Sequence, residues 1–414
     1  MTKLADIKQY LIGAIEDGQL APGDRMPSIR QLAQQFSCNK DTAQRALLEL
    51  KFERYIYAKP RSGYYVFDLP NQEVEPVDLP ESEVANDAYE DFRLCLNETL
   101  IGREDYLFNY YHRQEGLPDL IEAVHGLLAD SGVYVPIEHL VITAGSQQAL
   151  YILNQLAFPN GKTEVVVEEP TYSRMLDLLE EQGLVYHSVA RDLDGLDFET
   201  LEHLFRTQPI KFFYLIPRLH NPLGTSYSPT EMRRLVALAE RYDVYLVEDD
   251  YMSDFANQSP LHYYDTKGRV IYLKSFSNTV FSALRLATIC LPHDLKSPFI
   301  AYKKLMDYDT NLILQKALAL YIENGLYAKN IKRLRAKFQQ RLENWQERLA
   351  SYAQLPEYSI HQDQLIVKLP PQIKLWQAVA YGDAMPQSYR QLVNEHLLRL
   401  SDEESLKALL KYIL

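Results

Sequence analysis

The chain has 414 residues, with 43 basic and 56 acidic side chains and a formal net charge of −13; its 47% apolar and 24% charged content excludes a disordered, collagen-like or heptad-repeat protein. At about 100–200 residues per domain, that length predicts two or three domains, each with its own core. No apolar run approaches the about 18 residues of a spanning helix, and the charged start MTKLADIKQYLIG lacks the apolar centre of a secretory signal, so no membrane is expected.

Charge is unevenly spread. Residues 1–70 hold 10 Lys/Arg and 8 Asp/Glu, while the rest hold 33 and 48. An acidic body repels nucleic acid, which assigns any such contact to the N-terminal segment. The three cysteines, Cys38, Cys95 and Cys290, are widely separated and not in CxxC spacing. They predict a reduced, cytoplasmic protein with neither disulfides nor a metal site.

In chain order, Leu4, Ile7, Leu11 and Ile15 recur at helical spacing and predict a helix over 3–16. Pro27-Ser28 opens a second helix whose apolar positions are Ile29, Leu32, Ala33 and Phe36. A turn, Ser37-Cys38-Asn39, leads to a third helix with Ala43, Ala46, Leu47 and Leu50 on one face, and Asn39 is its expected N-cap. Two β-like runs, 55–58 and 64–67, flank Lys59-Pro60-Arg61-Ser62-Gly63 and predict a hairpin wing. In such a helix-turn-helix the third helix enters the major groove, with Lys40, Asp41, Gln44 and Arg45 facing outward. Arg30 and Arg61 are placed to meet phosphates. The same polar face also suits a plain solvated helical subdomain.

The stretch LPNQEVEPVDLPESEVANDA, rich in Pro and acid, reads as a linker over 69–88, separating a domain at 1–68 from one at 89–414. Beyond it, strand-like runs at 138–142, 164–167, 211–216, 244–247 and 269–273 alternate with helical stretches. One of these, 229–241, is opened by a Ser228-x-x-Glu231 capping box. The alternation predicts a mostly parallel central sheet with flanking helices. Long helices over about 297–322 and 327–352 then lead to a small C-terminal α+β subdomain.

Several pieces of this second segment suit one bound group. Gly145-Ser146-Gln147 at a strand–helix turn offers backbone N–H groups to a phosphate, and Ser275, Ser277 and Arg285 offer hydroxyls and a cation. Asp249, ending YLVED, suits a protonated pyridine nitrogen. Asn221 in HNPLG and Tyr251 suit a ring oxygen, and Tyr172 in EEPTY offers an aromatic face. Pyridoxal phosphate needs all of these together.

Two resemblances follow. GDRMPSIRQLAQQFSCNKDTAQRALLEL with RSGYYV resembles the winged helix-turn-helix of GntR-type bacterial repressors, and implies DNA contacts at Arg30, Lys40, Thr42, Arg45 and Gly63. ITAGSQQAL, VEEPTY, PRLHNPLGTSYS, VEDDY and YLKSFSNTVFSALRLA resemble, in order, the fold-type-I pyridoxal-phosphate-dependent aminotransferases. Together they resemble the MocR branch of the GntR family, in which an aminotransferase-like domain senses effectors. That branch implies a regulator of double-stranded DNA, a homodimer and a small-molecule effector. The resemblance also implies that Arg399 pairs with an effector carboxylate and that Tyr111 reaches the phosphate of the partner subunit.

One position departs from the pattern. The family's Ser-Phe-Ser-Lys carries the lysine that forms a Schiff base with the cofactor, and here the residue is Asn278. An amide nitrogen is not a nucleophile, so no catalytic residue is assigned there and transaminase turnover is expected to be absent. Lys274 substitutes only if the chain takes a different local path. Any pyridoxal phosphate is then held non-covalently, or the cavity takes another small molecule or none. The competing reading is an active aminotransferase with an appended DNA-binding domain.

Overall fold

A computed structural model describes residues 3–20, 24–52, 55–59, 63–66, 83–100, 113–307, 309–352, 354–361, 364–368 and 397–400, together with 406, 407 and 410. The chain divides into two compact units, Met1–Glu81 and Ser82–Leu414.

The first unit contains α1 (Lys3–Glu16), α2 (Ile29–Gln35), α3 (Lys40–Phe52) and the antiparallel strands β1 (Ile56–Lys59) and β2 (Gly63–Val66). Its core is the apolar set expected from periodicity, with Ile7, Leu11, Leu32, Ala43, Ala46 and Leu47 fully buried. Helix α2 is held at its start by a reciprocal Ser28–Gln31 capping box. Asn39 caps α3, its Oδ1 accepting from the Thr42 amide at 2.8 Å. Outside the expected elements, residues 24–26 lie against β2: the Met26 amide donates to the Tyr64 carbonyl, and the Val66 amide to the Asp24 carbonyl, both at 2.9 Å. The hairpin is thus anchored as a third chain segment joins its edge.

The second unit opens with α4 (Glu83–Leu100). Residues 83–88, read as linker, are instead its first turns. Its buried stripe, Ala88, Phe92, Cys95 and Thr99, begins at the last of these residues, so the apolar pattern lies almost wholly downstream of the turns it stabilises. After α5 (Pro118–Asp130), the central sheet is built from β3 (Leu140–Thr143), β4 (Glu164–Glu169), β5 (Tyr186–Asp192), β6 (Gly195–Leu196), β7 (Ile210–Leu215), β8 (Tyr245–Asp249), β9 (Val270–Ser275) and β10 (Ala287–Cys290). Their order is β3-β10-β9-β8-β7-β4-β5-β6. The pairs from β9 through β5 are parallel, whereas β10 runs antiparallel to both β3 and β9. Strands β5, β6 and β10 were not among the expected ones.

Helices α6 (Ser146–Gln155), α7 (Ser173–Glu181), α8 (Phe198–Thr207) and α9 (Pro229–Tyr242) cover the sheet. Alternate residues of its strands enter two different cores. Val165, Val167, Phe212 and Tyr214 face α6 and α7, while Val166, Phe213 and Leu215 face α8 and α9.

The helix expected over 297–322 is two helices, α10 (His293–Met306) and α11 (Leu312–Glu323). The polar run between them supplies the break: Asn311 Oδ1 accepts from the Leu314 amide at 3.1 Å, and the Thr310 hydroxyl donates to Asp307. Helix α12 (Leu326–Leu349) then reaches a small antiparallel sheet of β11 (Tyr358–His361), β12 (Gln364–Lys368) and β13 (Leu397–Leu400). Trp345 and Leu349 of the helix pack there on Leu365, Val367, Leu398 and Leu400. Among the described residues, no helix is long and apolar enough to cross a membrane.

Candidate functional site

In the first unit, Arg30, Lys40, Gln44 and Arg45 are all solvent-exposed, and Lys40 and Gln44 lie one turn apart on α3. Arg45 sits 3.6 Å from Glu49 in an exposed i,i+4 pair, which is weak enough to be exchanged for a phosphate or a base. Thr42 differs from the expectation. It is half-buried and its hydroxyl donates to Asn39 Oδ1 at 2.5 Å, so its one proton is committed to the helix cap. Gly63 opens β2 opposite Lys59. Arg61 lies outside the described residues.

In the second unit a cavity of about 280 Å³ opens at the carboxyl ends of the parallel strands, where open α/β sheets bind ligands. Its walls include Ser146, Gln147, Tyr172, Asn221, Asp249, Tyr251, Ser275, Ser277 and Arg285, all nine residues singled out above, with Asn278 beside them. Ile216 and Ser282 also contribute and carried no sequence signal. Tyr111 lies outside the described residues. Arg399 is half-buried on β13 and is not among the walls; it lies near His361, whose pKa falls to about 3 through burial first and then repulsion from Arg399 and His220.

Three features give the cavity its chemistry. Asp249 ends β8 almost fully buried, with Oδ2 accepting from the Tyr214 hydroxyl at 2.7 Å, while Oδ1 has no partner. Burial lifts this carboxyl to about 6 against the opposing pull of Tyr214. The bare oxygen suits a cationic N–H donor. Second, α6 starts at Gly145 with no side-chain cap, leaving the helix-end amides for an anion. Gly145 has φ +82°, and a Cβ there would meet Arg285 Nη2 at 3.0 Å, so the turn and the guanidinium are closely apposed. Third, Ser277 Oγ is buried without a partner. An unpaired acid, an uncapped helix start and an unpaired hydroxyl fit the pyridine and phosphate ends of pyridoxal phosphate.

Tyr172 reaches the cavity with its hydroxyl accepting from Gln147 Nε2 at 3.3 Å. Tyr251 lines the cavity, and its hydroxyl donates to the Leu219 carbonyl at 2.9 Å. The Asn221 loop is held from behind by a buried network. Glu168 accepts from Arg191 and Tyr227, each at 2.5 Å, and from the Ile216 amide at 2.8 Å, with His220 at 3.2 Å. Burial disfavours its charge, yet Arg191 and His220 together hold it at about 2. Gly224 in the same loop has φ +69°, and a Cβ there would stand 2.4 Å from the Ile360 carbonyl, so only glycine allows the loop to touch β11.

Lys274 does not enter the cavity. It is fully buried, its Nζ donating to Ser253 Oγ at 2.5 Å and Asp254 Oδ2 at 2.6 Å. The Tyr327 hydroxyl donates to the same carboxylate oxygen at 2.7 Å.

A family model of bacterial regulatory proteins of the gntR family matches residues 3–66, and one of aminotransferase class I and II matches residues 97–401. The chain is 41% identical over 342 residues to YcxD of Bacillus subtilis (strain 168), an uncharacterized HTH-type transcriptional regulator, covering 80% of this chain and 77% of that one. It is 28% identical over 365 residues to the probable rhizopine catabolism regulatory protein MocR of Rhizobium meliloti, covering 78% and 72%. Among solved structures, a multiple substrate aminotransferase from Thermococcus profundus shares the fold with a TM-score of 0.67 at 24% identity, over 78% of this chain and 87% of that one. With a winged helix in the first unit and the strand-end cavity in the second, the chain belongs to the GntR family of HTH-type transcriptional regulators, in the MocR form that carries an aminotransferase class I and II domain.

Proposed function

We propose that the second unit is a sensor and not a transaminase: it holds pyridoxal phosphate without a covalent bond, or a small molecule of like chemistry, and passes its occupancy to the winged helix of a homodimeric, cytoplasmic regulator. The observation that carries this reading is an unpartnered Asp249 Oδ1 in a cavity whose wall holds Asn278 in place of an amine, with Lys274 engaged elsewhere. When bound, pyridoxal phosphate supplies an electron-withdrawing ring. Asp249 would accept from its ring nitrogen, and the start of α6 with Ser275, Ser277 and Arg285 would bind its phosphate. Tyr172 would cover one ring face and Asn221 would donate to a ring oxygen. Among the described residues of the wall there is no amine, so none of them is placed to attach the cofactor or to move a substrate proton. Arg399 would meet an effector carboxylate on closure of the small sheet, and Tyr111 would reach the other subunit's phosphate.

Ligand binding shifts a regulator only by binding one of its states better. Two winged helices in a dimer read two half-sites, so a change in their spacing changes operator affinity. Equilibrium dialysis with pyridoxal phosphate, paired with a gel shift on the gene's own promoter, tests the reading. Micromolar retention, no label after borohydride reduction, and operator affinity that changes with ligand support it. Transamination by the unmodified chain, or no salt-sensitive specific DNA binding, overturns it.

A further inference from the structure

Asn278 lines the strand-end cavity but takes no part in the binding set described above. Its chain neighbours Phe276 and Thr279 are buried, whereas Asn278 is exposed. The turn that carries it is pinned from two directions. The Ser277 amide donates to Ser275 Oγ at 3.2 Å, and the Val280 amide donates to the Phe276 carbonyl at 3.0 Å. From α12, Asn330 Nδ2 donates to the Thr279 carbonyl at 2.5 Å. The backbone at Asn278 is thus held, while its side-chain amide meets no partner among the described residues. Two charged residues are among those lining the cavity: Asp249, and Arg285 next to Gly145 at the start of α6. The described wall around Asn278 therefore holds no cation apart from Arg285.

The covalent geometry of the cofactor ring decides what Asn278 faces. On a pyridine with a 3-oxygen and a 5-phosphomethyl arm, the 4-substituent lies between those two groups and para to the nitrogen. With the nitrogen on Asp249, the oxygen on Asn221 and the phosphate at the start of α6, the 4-substituent points away from the carboxylate. It comes to the wall beside Ser277, where Asn278 stands. We infer that Asn278 is a specificity-determining residue that makes this cavity prefer the amine form of the cofactor, pyridoxamine 5′-phosphate, over the aldehyde form. The inference rests on the reading of this cavity as a site for that cofactor. Near neutral pH a primary aminomethyl group is an ammonium, and the amide oxygen of Asn278 accepts from it in a charge-assisted hydrogen bond. An aldehyde or a hydroxymethyl group in the same place makes only a neutral bond with the amide. A lysine there would do the reverse, repelling the ammonium and capturing the aldehyde as a carbon–nitrogen double bond with loss of water.

The test is isothermal titration of the full chain with three ligands that differ only at the 4-position: pyridoxamine, pyridoxine and pyridoxal 5′-phosphates, in a buffer free of amines and inorganic phosphate. The amine form should bind about fivefold tighter than either of the others, the difference between a charged and a neutral hydrogen bond. Asn278→Ala should bring the three within about twofold of one another, and Asn278→Asp should widen the preference for the amine form. Asn278→Lys should invert it, with the aldehyde form tightest and the amine form weakest. Circular dichroism and the melting temperature check that each variant is folded. Equal binding of all three ligands, each weakened by Asp249→Ala, overturns the inference and leaves the cofactor site standing. So does a preference for the amine form that survives Asn278→Ala. Absence of binding by all three into the millimolar range overturns the reading of the cavity as well.

Discussion

Lys274 Nζ lies 2.6 Å from Asp254 Oδ2 in an almost fully buried ion pair, four residues before Asn278 and on the side of β9 away from the strand-end cavity. The one lysine near the expected attachment point is therefore a core residue. Lys274→Met leaves the Asp254 carboxylate buried with only the Tyr327 hydroxyl and its neighbours for compensation. Breaking such a pair costs about 3–5 kcal/mol, so the variant should lose that much stability in urea denaturation. Borohydride treatment of the parent protein with pyridoxal phosphate should leave the Lys274 peptide unlabelled in a mass map.

Asn278→Lys places an amine on the cavity wall beside Asp249 and Arg285. Reduction with borohydride in the presence of pyridoxal phosphate should then add one cofactor mass at residue 278, and the parent should show none. The exposed position of Asn278 means the longer side chain needs no core rearrangement, so the melting temperature should stay within a few degrees. A variant that folds yet never takes the label would show that the cavity does not hold the cofactor with its aldehyde toward this residue.

Asp249 links binding to pH. Burial raises its pKa to about 6 from an ordinary 3.8, so in the ligand-free protein it is largely ionised at pH 7.5 and largely protonated at pH 5. A protonated carboxyl loses the charge that pairs with a pyridinium. Retention of pyridoxal phosphate should therefore weaken as pH falls through about 6. Asp249→Ala should weaken it about 10–100-fold at pH 7.5, the range for a hydrogen bond to a charged group, and flatten the profile. The sign for stability is the reverse. A carboxyl raised on folding stabilises most when protonated, so the ligand-free protein gains from Asp249 below about pH 4 and loses that gain as pH rises through 6.

What was legible in the sequence was whatever sits beside a strong local signal. Gly145, Tyr172, Asp249 and Ser275 each follow an apolar strand, so the parallel sheet brings their positions to one edge. Residues whose role depends on a distant partner carried no such mark. Tyr214 is one of six buried residues of β7, and only the packing of β7 on β8 puts its hydroxyl on Asp249, 35 residues away. Asp254 meets Lys274 across 20 residues, and Glu168 meets Tyr227 across 59. Strand β10, four residues long, was masked by its neighbours, and it runs antiparallel to both strands beside it. The split between α10 and α11 turns on Asn311, whose capping role appears only once the Leu314 amide is placed against it.

Gly145 should not tolerate a side chain. Its φ of +82° is a conformation that disfavours L-residues by about 1–2 kcal/mol, and its missing Cβ faces the Arg285 guanidinium at 3.0 Å. Gly145→Ala should displace Arg285 and tilt the first amides of α6. Retention of pyridoxal phosphate should fall about tenfold or more, and isothermal titration with inorganic phosphate should show the same loss. Gly183→Ala, also at positive φ but with open space around it, serves as the comparison: the same backbone penalty without the ligand effect.

Arg30 and Arg45 should fail in different ways on DNA. Arg30 is exposed on α2, where a guanidinium meets a phosphate, and Arg45 is exposed on α3, the helix expected to face base edges. Arg30→Ala should weaken operator and random DNA alike and reduce the slope of log K against log salt by about 1. Arg45→Ala should cost about 1–3 kcal/mol on the operator alone, because a lost base contact is felt only where that base is present. Thr42→Ala separates capping from contact. Its hydroxyl is held by Asn39, so its loss should lower the unit's stability by roughly 1 kcal/mol while specificity at saturating protein is kept. Titrations at several salt concentrations on both DNAs distinguish these outcomes, and a Thr42→Ala protein with unchanged stability but altered base preference would return that residue to the DNA-reading set.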